Sequence, residues 1–198
     1  MSDPKTLLQL AGANLDPAKF GDAALILIDM QNEYLEGPIA VTNAEAAVAH
    51  AKALLEAARN AGCPILHVAH KGRAGGLFDR DGKRGQFIDA LAPAGDDVIV
   101  EKELPNAFAG TDLQARLSNS GRTELIICGF MTHMCVSSTA RAALDQGFRV
   151  TIDADSCATR DLPDGCGGVI EADTVHRVAL VELSDRFAII ARDHPWSE

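Results

Sequence analysis

No C-x-x-C pair occurs in this sequence, and its five cysteines (Cys63, Cys128, Cys135, Cys157 and Cys166) are odd in number. With no secretion signal beside them, a disulfide framework is disfavoured, and most of these thiols read as buried packing groups. Long hydrophobic runs are missing too: the longest hold about six or seven residues, against the roughly 20 that a membrane-spanning helix needs. The segment from Met1 to Leu7 lacks the basic head of a secretory signal, so a cytoplasmic location is expected. Positive charge is scarce. With 18 Lys and Arg against 28 Asp and Glu, the net charge is −10 and the pI about 5.0, which opposes attraction to phosphate backbones and anionic lipid. Nucleic acid and membranes are therefore not expected as partners. No Gly-x-Gly-x-x-Gly follows the first apolar run, and Gly72 to Gly85 does not keep the spacing of a P-loop, so neither a dinucleotide nor a P-loop phosphate site is supported. Internal repeats and low-complexity stretches are absent.

What is present is an alternation of short apolar runs with helical patterns. At 198 residues the chain suits one well-buried domain. Residues 1–22 read as an N-terminal arm, able to pack on a neighbouring subunit, and 23–198 as the domain itself. Ala23 to Ile28 is a continuous apolar run, the pattern of a strand buried on both faces. Thr42 or Asn43 can cap a helix running to about Asn60, with Gly62 as its stop. Further strands are expected at Pro64–Ala69, Asp97–Val100, Glu124–Gly129, Arg149–Ala154 and Phe187–Ala191. Helices are expected at Asp112–Ser118, Cys135–Gln146 and Ala172–Ser184. The Gly-rich, charged stretch from His70 to Gly85 reads as a lid or surface loop. Strands alternating with helices imply βαβ units, hence an α/β fold: a three-layer αβα sandwich around a mostly parallel six-stranded sheet.

Asp29, Lys102 and Cys135 each stand at or just past the end of an apolar run. In such sheets ligands bind beyond the carboxyl ends of the strands, where these three groups can converge. A thiol attacks only as thiolate, and at an ordinary pKa of about 8.5 little is ionised at neutral pH. A helix N-terminus and the Lys102 cation would favour the charge, and the Asp29 carboxylate can accept the proton. Taken singly, each residue has a plainer reading: a turn aspartate, a solvated lysine, an inert thiol.

Three ordered segments carry a resemblance: Leu27-Ile28-Asp29-Met30-Gln31-Asn32; Lys102 followed by Asn106-Ala107-Phe108-Ala109-Gly110-Thr111-Asp112-Leu113; and Gly129-Phe130-Met131-Thr132-His133-Met134-Cys135-Val136. Together they resemble the isochorismatase-like cysteine hydrolases, a family that includes nicotinamidases, carbamoylsarcosine and ureidoacrylate amidohydrolases and biuret hydrolase. The resemblance implies a catalytic triad of Asp29, Lys102 and Cys135, acting through a thioester on a small-molecule amide, carbamoyl or ureido substrate. It implies an oxyanion hole from the backbone N–H groups of Met131 and Cys135, with a cis peptide between Phe130 and Met131. By the same analogy a homo-oligomer, dimer or tetramer, is expected. The nicotinamidase branch builds a metal cluster on an Asp-x-His pattern after the second strand. The stretch His70-Lys71-Gly72-Arg73 does not match it, so no metal and no other cofactor is expected.

Other residues are weaker candidates. Gln31, Tyr34, Phe78, Phe108, His133 and Met134 lie near the motifs and could line a substrate pocket, with core packing the alternative for Phe108 and a bond across the loop the alternative for His133. His67 and His70, three apart on a strand, face opposite sides. His176 reads as structural. The basic residues Lys71, Arg73, Arg80, Lys83 and Arg84 could recognise a carboxylate or simply form a solvated loop. Two other functions stay open: hydrolysis of a vinyl ether of the isochorismate type, which needs the aspartate but not the thiol, and a non-catalytic thiol-sensing module.

Overall fold

The computed structural model describes residues 3–196. Six strands form its sheet: β1 (Ala23–Ile28), β2 (Ile65–His70), β3 (Val98–Lys102), β4 (Glu124–Phe130), β5 (Arg149–Ala158) and, counted after a small hairpin, β8 (Ile189–Ala191). Their spatial order is β3-β2-β1-β4-β5-β8 and every neighbouring pair is parallel. All six residues of β1 are fully buried, as a continuous apolar run demands of a strand covered on both faces. Among the described residues, the hairpin β6 (Leu162–Pro163) and β7 (Val169–Ile170) is the one antiparallel pair of strands.

The chain runs leftward from β1 through β2 to β3, then crosses back to place β4 on the other side of β1. Right-handed crossovers in opposite directions put their helices on opposite faces. Helix α3 (Ala44–Asn60), which follows the one-turn α2 (Glu33–Glu36), thus covers one face, while α4 (Leu113–Ser120), α5 (Ser137–Asp145) and α6 (Ala172–Arg186) cover the other. The three-layer αβα sandwich expected from the sequence is present. In α3 the buried residues Ala47, Ala51, Leu54, Leu55 and Ala58 make one stripe at helical spacing. Strand order reverses between β1 and β4, the crevice where open α/β sheets bind ligands.

Several boundaries differ from the sequence reading. Asn43 stands at the start of α3 in a left-handed conformation, φ 57°, and its side chain makes no capping bond. The helical segment expected from Cys135 begins three residues earlier, as a π turn over Thr132–Val136 that leads into α5. Strand β5 continues to Ala158, through the polar Asp155 and Ser156 that masked it. The arm, whose first two residues lie outside the described ones, packs on its own chain. Its short helix α1 (Leu7–Leu10) rests on α6, where Asp185 accepts a bond from the Leu7 N–H, and the Ala18 N–H donates to Thr151 Oγ1.

Gly129 shows how tightly the crevice is drawn. It sits in β4 beside Ile28 with φ +127°, and a Cβ there would fall 2.0 Å from the Ile28 carbonyl oxygen. Only glycine lets the two strands that flank the crevice approach so closely.

Candidate active site

Asp29 immediately follows β1, Lys102 is the last residue of β3, and Cys135 lies in the π turn after β4. Asp29 and Cys135 therefore flank the reversal point, and Lys102 reaches them across the end of β2. Its Nζ lies 2.7 Å from Asp29 Oδ2 and 3.4 Å from Cys135 Sγ. All three are interior, with 0, 1 and 3% of their surfaces exposed. Asp29 adopts φ 51°, the left-handed region that Asp and Asn tolerate better than most residues.

A fourth residue joins them. His70 ends β2, pairs in register with Lys102, and places Nδ1 3.2 Å from its ammonium. Asp29, His70 and Cys135 offer O, N and S donor atoms within 4.8 Å of one another, a donor set that suits zinc. In this structure the cation among them is the Lys102 ammonium.

Burial dominates the ionisation of the cluster. The Cys135 thiol is pushed up to about 12 by desolvation and by the neighbouring Asp29 charge, with Lys102 only partly opposing. Burial also raises Asp29, against the pull of Lys102. The sequence led to the opposite expectation for the thiol, because a helix start and a lysine both favour thiolate; loss of water outweighs them. The resting state is an Asp29–Lys102 ion pair beside a neutral thiol. Asp29 Oδ2 is bound to Lys102, while Oδ1 is buried with no hydrogen-bond partner.

The peptide between Phe130 and Met131 is cis. Around the cluster stand Tyr34, edge-on to Phe130 with ring centroids 5.5 Å apart, and Phe78, 5.2 Å from Tyr34 and 4.8 Å from His70. Gln31 is fully buried and turned to the backbone: its amide nitrogen donates to the His70 and Gly85 carbonyls, and its oxygen accepts from the His70 N–H. That ties the loop 71–86 to the sheet and leaves the amide no reach toward a substrate. Phe108 faces Phe148, at the end of the sheet away from the cluster, with centroids 6.3 Å apart, so core packing describes it. His133 Nδ1 shares a 2.6 Å bond with Thr159 Oγ1 across the nucleophile turn, and Met134 is partly exposed. His67 is buried on the other side of β2 against Asp97, and His176 bonds Thr132. Four of the five loop cations face carboxylates: Lys71 and Arg80 share Glu101, Lys83 meets Glu36 and Arg84 meets Glu33.

Sequence reasoning missed His70, Glu33 and Arg160 as neighbours of the site. Glu33 Oε2 accepts the Phe78 N–H from inside the fold. Arg160 lies near enough to Tyr34 and His133 for its charge to act on both, and its Nε is buried without a partner. Only the strand period of His70 was visible in advance.

The family model for the isochorismatase domain matches residues 23–193. The chain belongs to the isochorismatase family. A crystal structure of an isochorismatase from Pseudomonas putida is similar over 96% of this chain and 97% of its own, with 45% identity and a TM-score of 0.92. A secreted isochorismatase effector of Verticillium dahliae is 36% identical over 91% of this chain and 93% of its own length. Nicotinamidase 3 of Arabidopsis thaliana is 27% identical over 85% and 83%. This member of the isochorismatase family is accordingly a hydrolase of the cysteine-hydrolase type, and among its described residues no helix is long and apolar enough to cross a membrane.

Proposed function

We propose that this hydrolase cleaves the C–N bond of a small amide, carbamoyl or ureido substrate through a thioester on Cys135. The observation that carries the reading is the Lys102 ammonium bridging Asp29 Oδ2 and Cys135 Sγ, all three buried. Ionising Cys135 to bulk would leave an extra buried negative charge, which its raised pKa opposes. Passing the same proton to Asp29 conserves the net charge of the cluster: carboxylate, ammonium and thiol become carboxylic acid, ammonium and thiolate. Burial raises the proton affinity of Asp29, which makes it a better acceptor for the thiol proton than an ordinary carboxylate.

The thiolate sulfur attacks the carbonyl carbon, the C–N bond breaks, and Asp29 returns the proton to the departing nitrogen. A water then loses a proton to Asp29, attacks the thioester carbon, and the released sulfur regains its proton. The backbone N–H groups of Met131 and Cys135 are the proposed oxyanion donors, each worth about 10²–10³ in rate. Tyr34, Phe78, His133 and Met134 are the proposed pocket walls. The relative named a nicotinamidase supports amide chemistry; the relative named an isochorismatase supports vinyl-ether hydrolysis as the second reading. A thiol sensor is disfavoured, because a sensor needs an accessible, readily ionised thiol and Cys135 is neither.

The test is ammonia release from a panel of amides, carbamoyl compounds and ureides, with Cys135→Ala in parallel and mass detection of the protein during turnover. Loss of activity in the variant, with an acyl mass on Cys135 in the wild type, is expected. Vinyl-ether cleavage that survives Cys135→Ala but not Asp29→Asn, with no ammonia from any amide, would replace this reading with the second.

A further inference from the structure

We propose that His70 is a specificity-determining residue that presents a fixed Nε2–H donor to the substrate. The inference rests on the hydrolase reading above and adds a hydrogen-bonding requirement to it. The Lys102 ammonium has three protons and no lone pair. Its three contacts are Asp29 Oδ2 at 2.7 Å, His70 Nδ1 at 3.2 Å and Cys135 Sγ at 3.4 Å. In each of them the ammonium donates. His70 Nδ1 must then be an acceptor, which leaves the ring neutral with its proton on Nε2; an imidazolium would set one N–H cation against another.

The ring is held as firmly as its proton. Gln31 grips both the N–H and the carbonyl of His70, and the Phe78 ring packs 4.8 Å from the imidazole. A ring nitrogen of His70 lies within 4.8 Å of both Cys135 Sγ and an Asp29 carboxylate oxygen, which sets the imidazole beside the reacting sulfur. The ring is only partly buried, and among the described residues no protein group is hydrogen-bonded to Nε2. With Nδ1 taken by Lys102, the Nε2–H on the same ring is the proposed donor to a group of the substrate held at that sulfur. A site built to hydrogen-bond one substrate group discriminates against analogues that lack it. The ligand class is a small amide with a second acceptor, a carboxylate, carbonyl or ring nitrogen, close to the scissile carbonyl.

Two measurements test this. Long-range proton–nitrogen spectra of protein labelled with ¹⁵N-histidine, assigned through His70→Gln, are expected to show Nε2–H and a bare Nδ1 at pH 7.5; a Nδ1–H tautomer or an imidazolium would overturn the proposal. Ammonia release is then measured with N-carbamoylglycine and malonamate, which carry a second acceptor, and with butyramide, which does not. Both variants alter the Lys102 contact, so the expected signal is the difference between probes: His70→Leu loses about tenfold more kcat/KM on the first two than on butyramide, chiefly through KM, whereas His70→Gln, which keeps a donor near Nε2, shows no such difference. Equal losses in both variants on all three probes would mark His70 as structural only, and no loss in either would also overturn the role. A wild type that releases ammonia from none of the probes overturns the hydrolase reading and the substrate role with it; a wild type that is active while the variants behave alike overturns only the inference about His70.

Discussion

At the scale of single residues, the cluster is an arrangement in which stability and chemistry oppose each other. Taking a carboxylate and an ammonium out of water is costly, and a buried pair recovers that cost only through its partners. Lys102→Met strands the Asp29 charge, which burial already penalises, and is expected to lose about 3–5 kcal/mol in urea unfolding. The double variant Asp29→Asn/Lys102→Met removes both charges and should recover most of that stability while remaining inactive. A double variant no more stable than the single one would show that the pair is not coupled as its 2.7 Å contact indicates. The raised Asp29 pKa also fixes the sign of a pH effect. A buried acid whose folded pKa exceeds its unfolded one stabilises most at low pH, and that contribution is lost as pH rises through the folded value. Activity needs the carboxylate and moves the other way. The acid limb of kcat/KM is therefore expected above the usual aspartate range, with no fall in Tm across the same interval attributable to this group; parallel loss of activity and Tm would contradict it.

At the scale of elements, the sheet strands were legible from their apolar runs and Asp29 marks the end of β1, whereas β5 runs past its expected end because Asp155 and Ser156 are polar. Less legible was everything that depends on what lies across a gap. Gln31 has the look of a pocket residue, yet its amide is matched to the His70 and Gly85 backbone, a partnership 39 and 54 residues away in sequence. The loop 71–86 has the composition of a mobile lid, yet Gly72 and Gly85 let its own backbone close to within a Cβ's reach: added carbons would fall 1.8 Å from the Leu77 oxygen and 1.9 Å from the Asp79 oxygen. Charge state was hidden as well, since desolvation of Cys135 depends on packing that no motif states. These contacts make a specific expectation for Gln31→Leu. It strands polar backbone groups at His70 and Gly85 and should cost about 2–4 kcal/mol. Hydrogen exchange should accelerate across 70–86 well before it does in β1 or β4. Exchange that quickens equally in all three would mean the loop is not a separately tethered element.

At the scale of the whole molecule, the net charge of −10 surrounds a crevice whose own cluster is neutral in sum, so the field acts on the approach of a substrate more than on the reaction. Four of the five loop cations that might have offset it are already matched to carboxylates. An anionic substrate therefore climbs a repulsive potential before it meets the crevice, and a cationic one is drawn in. Salt shortens the reach of that potential, from about 30 Å at 10 mM to about 8 Å at 150 mM. Between those ionic strengths kcat/KM should rise about two- to fivefold for an anionic amide, fall for a cationic one, and hold steady for a neutral one, with kcat unchanged for all three. Because Arg160 stands near His133 and Tyr34, it can reverse the sign only at close range, where added salt screens less. A salt response that lowers kcat/KM for anions would therefore show that local charge at the crevice, rather than the acidic surface, governs substrate entry.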